Sequence, residues 1–188
     1  MNVTTQSIEN WNASFVQQTT LYYTDAETNR SARVIVRAFA KNPAIEVEVL
    51  LDPLPASGGG TEVTANFFAY NLNSNNTFYT DSNGLQMQER VLNERPTWDL
   101  TTDEPISANY YPINSAIVVQ DTVQNLEFVV TNDRSQGGSV LDNAHIEFMQ
   151  ARRLFEDDRR GVGEPLSEDG PFGNGIQVQA TYTLHFVN

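Results

Sequence analysis

Five acidic side chains crowd one turn-rich stretch of the chain: Asp157, Asp158, Glu164, Glu168 and Asp169. Two carboxyl groups about 5–10 Å apart can cleave a glycosidic bond, one as acid and one as nucleophile or base. Asp157 and Asp158 are adjacent, and neighbours in extended chain point to opposite sides, so they are poorly placed to flank one bond. Asp157-Asp158-Arg159-Arg160-Gly161 reads more simply as a charged turn. The same carboxylates suit a hard cation such as calcium, but their spacing matches no calcium loop and a solvated acidic rim is the plainer reading.

Other chemistry has fewer candidates. A zinc site needs three or four convergent His, Cys or carboxylate ligands, whereas the chain has two histidines, His145 and His185, and no cysteine. No metal site is expected in this chain, and the histidines read as surface or network residues. Gly161 and Gly163 flank Val162 with no helix pattern after them, so a phosphate cradle is unsupported. Trp98, Tyr110 and Tyr111 can stack on sugar faces, though such rings more often fill a core. N-x-Ser/Thr sequons at Asn2, Asn12, Asn29 and Asn75 are glycosylation candidates if the chain passes through a secretory lumen.

Composition narrows the partners. The formal charge is −13, from 24 acidic and 11 basic side chains, a field that repels phosphate and anionic lipid. Nucleic acid and membrane surfaces are therefore not expected partners. No apolar run of about 18 residues marks a spanning helix, and the first thirty residues show no signal-peptide pattern. With 39% hydrophobic residues over 188, the chain can bury a sizeable core without disulfides.

The elements that must position these residues are strands. Ile176, Val178, Ala180, Tyr182, Leu184 and Phe186 alternate with polar residues, predicting a long strand over 176–187 with one core face. Weaker alternation predicts strands over 33–40, over 45–51 with Glu46 and Glu48 outward, and through Leu126, Phe128 and Val130. The segment 145–155 fits helix and strand about equally, and strand is the reading adopted. Turns are expected at Asp52-Pro53, at Ser82-Asn83-Gly84 and at Gln136-Gly137-Gly138. The pattern is that of an all-β, antiparallel sandwich, one domain over 1–188 with a candidate subdomain break near 57–61, at the Gly58-Gly59-Gly60 run.

Six ordered segments carry a family likeness. They are Phe78-Tyr79-Thr80-Asp81-Ser82-Asn83-Gly84-Leu85-Gln86, Arg95-Pro96-Thr97-Trp98, Glu104-Pro105, Asn109-Tyr110-Tyr111-Pro112-Ile113-Asn114, the stretch 131–139 (TNDRSQGGS), and Arg152-Arg153-Leu154 followed by the stretch 157–166 (DDRRGVGEPL). Together they resemble the carboxy-terminal β region of family 38 glycoside hydrolases, α-mannosidases of the lysosomal type. Residues 1–77 match only loosely.

The resemblance implies a supersandwich-like fold behind an α/β catalytic domain that this chain lacks. It implies that the parent enzyme is a retaining, zinc-dependent α-mannosidase removing terminal α-linked mannose from glycoprotein glycans, with the zinc held by the missing domain. This chain alone is then inactive, with its own catalytic domain as partner and the lysosome, vacuole lumen or exterior as location ahead of the Golgi. The arginine of the family's DDxRG turn, which helps order the mannose pocket, maps to Arg160. Arg159 is the alternative occupant, and Asp157 or Asp158 would orient the guanidinium. A different class remains open, a stand-alone carbohydrate-binding or adhesin-like sandwich.

Overall fold

A computed structural model describes residues 3–25, 29–55, 59–157, 161, 163 and 165–188. Among them the strands are β1 (Val3–Asn12), β2 (Val16–Asp25), β3 (Ser31–Phe39), β4 (Ile45–Leu51), β5 (Gly60–Phe68), β6 (Thr77–Ser82), β7 (Gln86–Val91), β8 (Tyr111–Ile113), β9 (Ala116–Asp121), β10 (Leu126–Asn132), β11 (Gln136–Asp142), β12 (His145–Leu154) and β13 (Val178–Val187). One 3₁₀ turn, Ser107–Asn109, precedes β8. The paired strands described run antiparallel, so the all-β expectation holds.

The chain divides into two compact units, 1–64 with 149–181 and 65–148 with 182–188. In the first, β1, β2, β3 and β4 form an antiparallel meander that continues onto the start of β13, while β5 lies beside the end of β12. The period-two pattern of β4 works as expected: Val47, Val49 and Leu51 are buried. Glu46 and Glu48 face away and receive Arg37 from β3, at 2.6 and 2.9 Å.

The second unit has two layers, one in the order β13-β10-β9-β6-β7 and the other β5-β12-β11-β8. Between them lie Phe78, Ile113, Ile117, Val119, Val130, Ile146, Phe148 and Tyr182, each wholly buried. Phe148 and Tyr182 sit 4.9 Å apart at their ring centres, and Phe67 meets both edge-on. Aromatic contacts of this geometry add to the area term. Burial pushes the Tyr182 phenol up to about 12, against a hydrogen bond from Gln136 that lowers it.

Three expectations need amending. Gln136-Gly137-Gly138 is no turn but the start of β11. A Cβ at Gly138 would lie 2.4 Å from Ile113 Cδ1 and 2.6 Å from Glu147 O, and one at Gly137 would lie 3.2 Å from the Tyr110 ring. These glycines serve close approach between strands, not chain reversal. The last strand starts at Val178, leaving Ile176 exposed. Its apolar face is buried only in the middle, since Phe186 is exposed on one side while it stacks on Phe128 at 4.9 Å. The Ser82-Asn83-Gly84 turn is present, with Asn83 and Gly84 both left-handed at φ 54° and 68°. Of the 57–61 break, residues 57 and 58 lie outside the described residues.

Candidate functional site

The segment 155–177 joins β12 to β13 through turns and bends, without helix or strand among its described residues. Loops of this length inside a compact domain are uncommon and are often functional. Its described parts fold back on themselves. Leu154 N–H donates to Leu166 O at 2.9 Å, and Gly175 N–H donates to Asp169 O at 2.7 Å.

Arg153, the penultimate residue of β12, gathers the far end of this loop. Its side chain is only 7% exposed, while Asp169, which accepts from Nη2 at 2.9 Å, is 77% exposed. Nη1 donates to Leu54 O at 3.0 Å and to Asn174 O at 3.5 Å. Gly175, at φ +94°, leaves room for the guanidinium: a Cβ there would meet Nη1 at 3.0 Å. The group therefore joins the segment before β5 to two points of the loop. Both terminal nitrogens are thus used, while Nε is buried without a hydrogen-bond partner among the described residues. A cavity of about 120 Å³ adjoins it, lined by Leu54, Arg152, Glu168, Ile176 and Val178 among others.

Of the residues singled out from the sequence, Asp157 is half-buried, and Asp158, Arg159 and Arg160 lie outside the described residues. Glu168 lines the cavity beside Arg153. Among the described residues no three His, Cys, Asp or Glu side chains gather as metal ligands would. His145 Nε2 lies 2.7 Å from Asn66 Oδ1, and its ring stacks on Phe68 at 4.0 Å. Asn12, Asn29 and Asn75 are exposed, and Asn2 lies outside the described residues. Asn29 and Asn75 are left-handed, at φ 52° and 49°.

The other segments singled out converge inside the second unit. Asn109 is wholly buried, and both ends of its amide are used: Oδ1 accepts from Asn93 N–H, and Nδ2 donates to Asn93 Oδ1 and Pro105 O, each at 2.8 Å. Ser139 Oγ donates to Asn109 O at 2.6 Å. Tyr110 hydroxyl bonds Glu147. The guanidiniums of Arg90 and Arg95 lie 4.3 and 4.9 Å from the centre of the Tyr111 ring, with Phe78 edge-on at 5.7 Å. Arg95 also donates to Ala108 O. Asn109 and Tyr111 are thus core residues, and Trp98 is exposed.

Three carboxylates are buried among the described residues, Asp25, Asp81 and Asp121, and none was singled out from the sequence as a candidate. Asp81 Oδ1 accepts the N–H groups of Asn114, Ser115 and Ala116 at 2.8–3.1 Å, and Oδ2 accepts that of Gly84 at 2.9 Å. Burial pushes the Asp81 carboxyl up, but these four donors outweigh it and hold it below the ordinary carboxylate range. Asp121 accepts from the N–H groups of Asn73, Val123 and Gln124 and from Gln124 Nε2 at 2.6–3.0 Å. The Asn73 bond foremost, with those from Gln124, brings its carboxyl down to about 2. Asp81 and Asp121 are fasteners of turns.

Comparison with known proteins adds what geometry alone does not. Residues 2–160 match the Glycosyl hydrolases family 38 C-terminal domain. The chain is 43% identical over 151 residues to the lysosomal alpha-mannosidase of Bos taurus, which covers 80% of this chain and 14% of that protein. It is 38% identical over 133 residues to the lysosomal alpha-mannosidase of Dictyostelium discoideum, covering 70% of this chain and 13% of that protein. An alpha-mannosidase of Arabidopsis thaliana is 39% identical over 142 residues, or 76% of this chain and 14% of that protein. The chain thus spans about one seventh of the length of these relatives.

Proposed function

Because the chain belongs to glycosyl hydrolase family 38, whose C-terminal domain it carries, we propose that it is the accessory and stabilising β domain of an α-mannosidase. The parent enzyme removes terminal α-linked mannose from glycoprotein glycans by a retaining route. The observation that carries this reading is the identity of about 40% to lysosomal α-mannosidases over most of the chain. One feature supports the accessory role: Asn109 and Tyr111, in the segments that bear the resemblance, are occupied with core packing.

Among the described residues no set of side chains fits a zinc site; in this reading the metal belongs to the rest of the enzyme. From this chain, Arg160 would reach the mannose pocket, with Asp157 or Asp158 orienting it and Arg159 as the alternative. A guanidinium presents five donors in a fixed fork and can bridge a sugar hydroxyl and a neighbouring acceptor. The names of the relatives support a lysosomal location, and this reading adds the vacuole lumen or the exterior ahead of the Golgi.

The isolated chain should show no turnover of an aryl α-mannoside, with or without added zinc; measurable turnover would overturn the accessory role. In the full-length enzyme, Arg160→Ala should lower kcat/KM by roughly tenfold or more. An unchanged value there, with a loss in Arg159→Ala, would move the role to Arg159.

A further inference from the structure

We propose that Phe68, Tyr70 and His145 form a stacking platform that binds a neutral pyranose sugar, a mannosyl unit of a glycan. The choice of mannose rests on the α-mannosidase reading; the platform itself stands on geometry within the second unit. Asn66, Phe68 and Tyr70 occupy alternate positions at and just past the end of β5, and all three are exposed. Period-two alternation puts them on the outer side of the strand, while Phe67 turns inward to Phe148 and Tyr182. Phe68 is 49% and Tyr70 87% exposed. Their ring planes differ by 6° with centres 5.5 Å apart, and the imidazole of His145, at the start of β12, stacks on Phe68 at 4.0 Å. Backbone holds this end of β5 in place, since Ala69 N–H donates to Ala144 O at 3.1 Å and Leu72 N–H to Ala69 O at 3.0 Å. His145 Nε2 lies 2.7 Å from Asn66 Oδ1.

A single exposed apolar side chain needs no explanation, but aligned aromatic rings held out in water form a patch of the kind that marks a binding site. The face of an aromatic ring is electronegative. A pyranose presents a row of C–H bonds with positive hydrogens on one side, so it settles on such a face while its hydroxyls reach past the ring edge. Those hydroxyls need donors and acceptors at the border, and the border here is rich in amides: Asn66, Asn71 and Asn143 are exposed beside the rings along the chain. A net charge of −13 disfavours an anionic ligand and leaves a neutral sugar unaffected. A folded protein partner fits less well, because a standard interface takes about 800 Å² from each side with an apolar centre, and this aromatic island is small. Rings placed before the ligand arrives also lower the ordering cost of binding. The platform is not made by the rings expected from the sequence: Tyr111 is buried, and Trp98 is exposed elsewhere in the chain.

The test titrates the 188-residue chain with an α-linked mannotriose and follows ring protons by NMR, using the variants Tyr70→Ala, Tyr70→Phe and Trp98→Ala. Tyr70 is so exposed that its loss should leave the fold intact, which the unshifted backbone signals of β9 and β10 would verify. Saturable shifts are expected at Phe68, Tyr70 and His145. Tyr70→Ala should weaken the affinity by roughly two- to tenfold, the size of one aromatic contact, whereas Tyr70→Phe and Trp98→Ala should retain it. Absence of a saturable shift at these rings would overturn the platform. So would an equal loss in Trp98→Ala, or a response to a proline-rich peptide in place of the sugar. Binding needs no turnover, so the two readings fail separately. A chain that binds the sugar although its full-length parent cleaves no mannoside would keep the platform and lose the α-mannosidase reading, and a cleaving parent without binding at the rings would do the reverse.

Discussion

The side chains that carry most consequence here are acidic groups fastened by backbone N–H donors. Asp121 is buried and spends its charge on backbone N–H donors. Its folded carboxyl, at about 2, lies below its ordinary value of 3.8, so the stabilisation it lends is complete above that value and is lost as pH falls through about 2. The urea midpoint should therefore decline between about pH 4 and pH 2. In Asp121→Asn the midpoint should be lower at neutral pH and flatter across that window; equal slopes in the two proteins would deny Asp121 its part. Little of this was legible beforehand. Asp81 sits in a segment whose turn was foreseen from Asn83-Gly84, but three of its four donors come from residues 114–116. Local pattern does not show which distant backbone will arrive at a carboxylate.

At the scale of elements, alternation was a good guide where a strand has one dry face. It placed Val47, Val49 and Leu51 inward and Glu46 and Glu48 outward. For 145–155 it was no guide, since the pattern fitted helix and strand about equally; strand, the reading adopted, is what β12 forms, and Arg153 at an inward position gave no sign that a guanidinium would be buried there. It erred at Gln136-Gly137-Gly138, because a glycine pair signals either reversal or crowding, and only the neighbouring strand decides which. Crowding leads to an expected outcome. Gly138→Ala puts a methyl against Ile113 Cδ1 and Glu147 O, and overpacking of this kind costs typically about 1–3 kcal/mol. Calorimetry should register a fall in Tm of roughly 4–8 °C for about 2 kcal/mol in a domain of this size. Gly137→Ala, which meets only the rim of the Tyr110 ring, should cost less.

Taken whole, the molecule carries a net charge of −13, and self-repulsion of that size works against the compact state. Raising sodium chloride from about 10 mM to about 150 mM shortens the screening length from roughly 30 to 8 Å and should raise Tm. A fall would mean that ion pairs such as Arg37 with Glu46 and Glu48 outweigh the repulsion. The two units share their strands, and this bears on how the chain comes into being. In the second unit Phe128, on β10, finds its stacking partner in Phe186, and residues 127–132 of β10 pair with residues 182–187. Between these stretches the ribosome must make the end of β12 and the loop, which belong to the other unit. Neither unit can close as it is synthesised, and no single proteolytic cut or gene truncation can deliver one of them whole; they must be translated, inherited and engineered as a pair.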